Sequence, residues 1–202
     1  MNYTYSTEVK KCKGENQMSF MVLIKNQKCT VIASDSRVTR HTEQGIVYND
    51  SFKKVFKLKK NIIVGITGYY GEDECLLKEI IDILNNNSME MSLQKFDKIA
   101  QNTRKTINIF IATPHIAYVV DLVDGKIHIQ TLDKGIHIYS SGSHNYMIQN
   151  LDIQTIYGKE KGELKQIVKG LVQNGILVDE YIHSLNSNYN QTIGGHVEIE
   201  SI

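Results

Sequence analysis

Two apolar runs, "FMVLIK" (20–25) and "CTVIAS" (29–34), are separated only by Asn26, Gln27 and Lys28. That spacing predicts two strands joined by a tight turn. A polar stretch follows, with a short strand expected around Ile46–Tyr48. "KVFKL" (54–58) alternates with period two, and "NIIVGITG" (61–68) is a continuous apolar strand ending on Gly68. The period then changes. Leu76, Ile80 and Leu84 recur every four residues with Leu77 and Ile81 beside them, which predicts a helix. Glu72, Asp73 and Glu74 load its first turn with negative charge, and Asn85–Asn87 end it. A second helix is expected over 93–110, on a stripe of Leu93, Phe96, Ile99 and Thr103.

Strands return at 115–123, 126–132 and 135–142, with Asp124–Gly125 and Asp133–Lys134–Gly135 as the turns between them. Two more helices are expected around 144–152 and 162–175, and "GGHVEIESI" (194–202) closes as a strand. The order is strands, two helices, strands, two helices, strand. A doubly wound parallel sheet alternates instead. Each strand block needs an apolar cover and each helix pair has one apolar face. An α+β fold satisfies both: a four-layer αββα sandwich of two antiparallel sheets flanked by helices. Residues 1–18 lack such a pattern and read as a leader or tail, which leaves 19–202 as a single domain.

Composition narrows the chemistry. With 202 residues, 41% of them apolar, and a net charge of +1, the chain has material for a core and no basic field for nucleic acid. Its apolar runs are strand-length, so no membrane partner is expected. The N-terminus lacks the apolar segment of a signal peptide, so the cytoplasm is the expected compartment. Cys12, Cys29 and Cys75 are odd in number and lack CxxC spacing, which argues against disulfides and zinc. The histidines show no HxxxH or HxH spacing, and no phosphate-binding glycine loop occurs. Neither a metal nor a cofactor is implied.

The chemistry-bearing residues sit where strands end. The second strand runs into Ser34-Asp35-Ser36-Arg37, Lys54 opens "KVF", Gly68 closes "ITG", and Ser19 precedes the first strand. Read alone, Asp35 and Lys54 are a structural ion pair or a site. Gly68 alone is a strand-to-helix turn, and Ser141 a helix cap. The ordered set Ala33-x-Asp35-x-Arg37, Lys54-Val55-Phe56 and Thr67-Gly68, with the later "YSSGS" (139–143), resembles the beta-type subunits of the proteasome and their bacterial relatives, within the N-terminal-nucleophile hydrolases. The resemblance spans roughly residues 19–200.

The resemblance implies a hydrolase of peptide amides. Its nucleophile is the first residue of the mature chain, usually Thr, and the family spacing back from Asp35 lands on Ser19. The Ser19 amine is then the base, Lys54 the neighbouring cation, Asp35 its counter-ion, Gly68 N–H the oxyanion donor and Ser141 the helper serine. Arg37 would orient Asp35 or brace the loop. A free α-amine, with a pKa of about 7.7–8.0, is a competent base near neutrality, whereas an amide is not. Ser19 therefore acts only without residues 1–18. A start at Met18, followed by removal of that Met, would expose it. Departures from the family pattern are Ser19 for Thr, Met18 for Gly, and Asn190 and Ile193 where Asp and Ser are usual. The implied partners are a peptide or protein substrate, a homo-oligomeric ring and a regulatory ATPase. Two other readings stay open: a non-catalytic scaffold subunit, and an amidase acting on small molecules.

Overall fold

The computed structural model describes residues 19–70, 74–142, 144–149 and 151–202; the leader expected over 1–18 lies outside them. The strands are β1 (Phe20–Lys25), β2 (Thr30–Asp35), β3 (Val38–Thr42), β4 (Gly45–Asn49), β5 (Val55–Leu58), β6 (Ile62–Gly68), β7 (Ile107–Ala112), β8 (Ala117–Val123), β9 (Lys126–Leu132), β10 (His137–Gly142) and β11 (Val197–Ser201). The helices are α1 (Cys75–Asn86), α2 (Met89–Thr103), the short α3 (Ile153–Ile156) and the long α4 (Lys161–Leu185). One sheet has the order β10-β1-β2-β11 and the other β5-β6-β7-β8-β9, while β3 and β4 form a separate hairpin. Every pairing is antiparallel.

Three apolar layers hold four structural layers together. Phe20, Val22, Ile24, Val31 and Ala33 pack against Leu164, Val168, Val172 and Ile176 of α4. The opposite face of the same strands, through Met21, Leu23 and Ile32, meets Val55, Ile63, Phe110 and Val119 of the second sheet. The outer face of that sheet packs on α1 and α2 through Val64, Ile66, Ile109 and Val120. This is the αββα sandwich expected from the sequence. It explains why β1 and β2 read as continuous apolar runs: both faces are covered.

Several boundaries differ from the sequence reading. The second helix stops at Thr103, where Arg104 adopts a left-handed conformation (φ 51°). "INIFIA" is therefore the central strand β7, buried along its length. Helix α1 starts after the acidic cluster; Glu74 caps it in the left-handed region, and the backbone N–H groups of Leu76 and Leu77 donate to Tyr70 O. The helix expected over 144–152 is a 3-10 turn at Asn145–Ile148, followed by α3. Asp124–Gly125 makes a hairpin turn with φ 51° and 77°, but 133–136 carries the chain from one sheet to the other.

Helix α4 continues ten residues past Gly175, to Leu185. Gly175 is there for contact, not termination: a Cβ would lie 2.8 Å from the Phe20 ring. Gly65 plays the same part between the sheets, where a Cβ would meet Met21 Sδ at 2.4 Å and Ile32 Cγ2 at 2.7 Å. Gly65→Ala should therefore push the sheets apart at that point. The expected loss is about 1–3 kcal/mol of stability, measured as a lower urea midpoint with an unchanged m-value.

Candidate active site

Antiparallel pairing gathers strand ends at one edge of the sandwich. Ser19 immediately precedes β1, Asp35 ends β2, Lys54 immediately precedes β5, Gly68 ends β6 and Ser141 is the penultimate residue of β10. Phe20 pairs with Gly142 and Met21 with both Ser141 and Ser34, which brings β10 and β2 alongside the start of β1.

Lys54 Nζ stands 2.9 Å from Ser19 Oγ and 3.0 Å from Asp35 Oδ1. Lys54 and Asp35 are both 0% exposed and Ser19 is 5% exposed. The Asp35 carboxylate is saturated with donors. Phe20 N–H reaches Oδ1 at 2.9 Å, while Arg37 N–H and Gly194 N–H reach Oδ2 at 3.1 and 3.2 Å. Burial pushes the Lys54 pKa below the usual lysine value, and the Asp35 charge opposes that fall.

Tyr70 adds a buried phenol beside Ser19. Its hydroxyl donates to Ile66 O at 2.9 Å and shares a hydrogen bond with the Ser19 side chain, and its ring packs on Phe52. Burial, with the Asp35 charge adding to it, holds this phenol well above its ordinary pKa, so it stays protonated.

Gly68 has φ +103°, and a Cβ there would fall 2.3 Å from Thr106 O, so only glycine fits. Its neighbour Thr67 meets Ser141 across the two sheets, Oγ1 to Oγ, at 3.1 Å. Gly142 lies against the Ser19 carbonyl, where any Cβ would overlap that oxygen.

Arg37 is placed differently from the Asp35-orienting role. Its backbone N–H binds Asp35, but its guanidinium forks onto Asp50 at 2.5 and 2.8 Å and reaches Gln191 Oε1 at 2.8 Å. It braces the 191–194 loop, and a Cβ on Gly194 would touch the guanidinium. The hydrogen bonds from Arg37 hold the Asp50 carboxyl below its usual range.

Asn190 is solvent-exposed. The carboxylate that holds this loop is Asp179 of α4, fully buried. It accepts from His144 Nε2 (3.2 Å), Tyr189 Oη (2.7 Å), Thr192 N–H (2.8 Å), Thr192 Oγ1 (3.0 Å) and Ile193 N–H (3.2 Å). Burial alone would raise its pKa, but these donors outweigh burial and leave it lowered. Burial, with the Asp179 contact adding to it, pushes the Tyr189 hydroxyl up to about 12.

Asp50, Tyr70, Asp179 and Glu198, whose Oε2 accepts from Lys54 N–H, were not singled out by sequence reasoning. Only Asp179 carried a signal: it continues the buried stripe Val168, Val172, Ile176 of α4, a position where an acid needs partners. Among the described residues, no three His, Cys, Asp or Glu side chains cluster as a metal site. No described helix is long and apolar enough to cross a membrane.

A carboxyl whose folded pKa is lowered contributes stability above its unfolded pKa, and that stability is lost as pH falls through the folded value. Asp179→Asn should therefore cost about 3 kcal/mol near neutrality and flatten the acid limb of stability below about pH 4. Urea denaturation across pH 3–7 measures both effects.

The sequence matches the proteasome subunit family over residues 20–134. No curated protein sequence matches the chain. Among solved structures, the fold is similar to eukaryotic HslV from Trypanosoma brucei (TM-score 0.58, 12% identity, 90% of this chain and 98% of that one). It is also similar to Thiobacillus denitrificans BPH (TM-score 0.57, 12% identity, 91% and 97%), and to that protein in complex with epoxomicin (TM-score 0.55). With more than half of its length matched to one family, and the sandwich of HslV and BPH along the rest, the chain belongs to the proteasome subunit family.

Proposed function

We propose that the chain hydrolyses peptide amide bonds through Ser19, with the Ser19 α-amine as base. The observation that carries this reading is the 2.9 Å contact between the buried Lys54 ammonium and Ser19 Oγ. A cation there favours the alkoxide that forms when the amine takes the hydroxyl proton. Oγ then attacks the carbonyl carbon, and the Gly68 N–H donates to the developing oxyanion, a contribution of about 2.7–4 kcal/mol for one donor. Collapse breaks the C–N bond, and the proton held by the amine passes to the leaving nitrogen. Water attacks the resulting ester and restores Ser19. Ser141, tied to Thr67, takes the place of the family's helper serine. A seryl residue thus does the work of the family's usual threonine.

The chemistry requires residues 1–18 to be absent from the working form. Family membership supports a homo-oligomeric ring acting on unfolded protein, served by a regulatory ATPase in the cytoplasm. One observation favours the rival scaffold reading: Asn190 and Ile193 stand where the family usually carries Asp and Ser.

Mass spectrometry of the native protein incubated with epoxomicin separates the two readings. A chain beginning at Ser19 and carrying one inhibitor there, with no adduct in Ser19→Ala, is the expected result. A free Ser19 without an adduct defeats catalysis, and so does a chain that still begins at Met1. Lys54→Met should slow amide hydrolysis by about 10²–10³-fold. The alkaline limb of the wild-type rate should fall below the ordinary lysine value of about 10.4, because burial lowers the Lys54 pKa and the unprotonated amine gives Ser19 no cation.

A further inference from the structure

Lys54 draws its surroundings from several elements. Asp35 faces it from β2 and Ser19 from the start of β1, and the neutral Tyr70 phenol, beyond β6, shares a hydrogen bond with that same Ser19. Arg37 opposes Lys54 as a like charge and Asp50 senses it from the turn before β5. The remaining charge comes from β11. Glu198 Oε2 accepts from Lys54 N–H at 2.6 Å and from Val55 N–H at 3.2 Å, while its side chain is only 13% exposed. His196 Nε2, on an exposed ring, lies 3.8 Å from the other Glu198 oxygen.

The placement is specific. Strand β11 pairs with β2 so that Val197 is opposite Asp35 and Glu198 opposite Ser34. Val197 and Ile199 pack into the α4 layer, so the alternating Glu198 is directed at the other sheet, where β5 begins. The two carboxylates around Lys54 thus come from adjoining strands. β11 also lies outside the segment matched to the family. A glutamine oxygen would accept the same two N–H groups, so hydrogen bonding alone does not account for an ionisable side chain here. A carboxylate removed from water is disfavoured unless a cation answers it.

We propose that Glu198 is a positioning residue of the site: its carboxylate fixes the entry to β5 so that Lys54 reaches Ser19, and its charge joins that of Asp35 in keeping Lys54 protonated. The inference rests on the reading of Lys54 as the cation beside Ser19.

The test is an NMR titration of the Lys54 side-chain nitrogen in the full chain, wild type against Glu198→Gln. Gln keeps the hydrogen bonds and removes the charge, so the Lys54 midpoint should drop by about half a unit to one unit. The alkaline limb of amide hydrolysis should drop with it. Glu198→Asp, which keeps the charge, should leave the midpoint closer to wild type than Gln does. An unchanged midpoint in a folded Glu198→Gln protein overturns the proposal and leaves a purely structural clamp. If the Gln variant does not fold, the wild-type chain still decides: the Glu198 carboxyl carbon should shift at the Lys54 midpoint, and no inflection there is the contrary result. A wild-type chain that hydrolyses no amide while the Lys54 shift is intact defeats the catalytic reading alone.

Discussion

A lysine ammonium shut off from solvent lies 3.0 Å from an equally buried carboxylate, and the ends of β1, β2, β5, β6 and β10 are arranged around that pair. Burying one charge is prohibitive and burying two is tolerable only with near-complete hydrogen bonding. The fold meets that condition from three directions. β1 gives the Phe20 N–H, the turn after β2 gives the Arg37 N–H, and the loop after α4 gives the Gly194 N–H. A hydrophobic pair would occupy the same volume at less cost. The ion pair therefore makes sense as a device for holding a cation against Ser19, and the layers around it keep water out.

Two further carboxylates maintain this arrangement without touching Ser19. Asp50 fixes the Arg37 guanidinium, which spans to the 191–194 loop. Asp179 fixes the same loop from α4 and ties it to His144, two residues beyond the Gly142 that abuts the Ser19 carbonyl. The loop is thus clamped on both sides before its Gly194 N–H reaches Asp35. The charge that Asn190 lacks enters the loop from α4, through Asp179.

The sandwich was readable from the chain because its signals are local and repeated. Period-two strands, a clean four-residue helical stripe in α1 and doubly covered apolar runs all state their environment. The β7 strand was not readable: "INIFIA" continues a helical stripe in sequence, and only the left-handed Arg104 breaks it. Gly175 misled in the opposite sense, since a glycine forced by contact with Phe20 looks like a helix stop. The meeting of Ser19, Asp35 and Lys54 was legible because each ends or precedes a strand and the family spacing links them. Tyr70, Asp50 and Glu198 were not. Their roles depend on which strand ends meet across the two sheets, and periodicity places Glu198 only on the polar face of β11.

Asp35 and Lys54 act as one buried unit. A double-mutant cycle in urea denaturation, with Asp35→Asn, Lys54→Met and the pair, tests that coupling most directly. Asp35→Asn alone should lose about 3–5 kcal/mol, because it strands an ammonium in the core. The double variant should recover most of that loss. Additive effects, with a coupling energy within about 0.5 kcal/mol of zero, would show that the two side chains are not coupled.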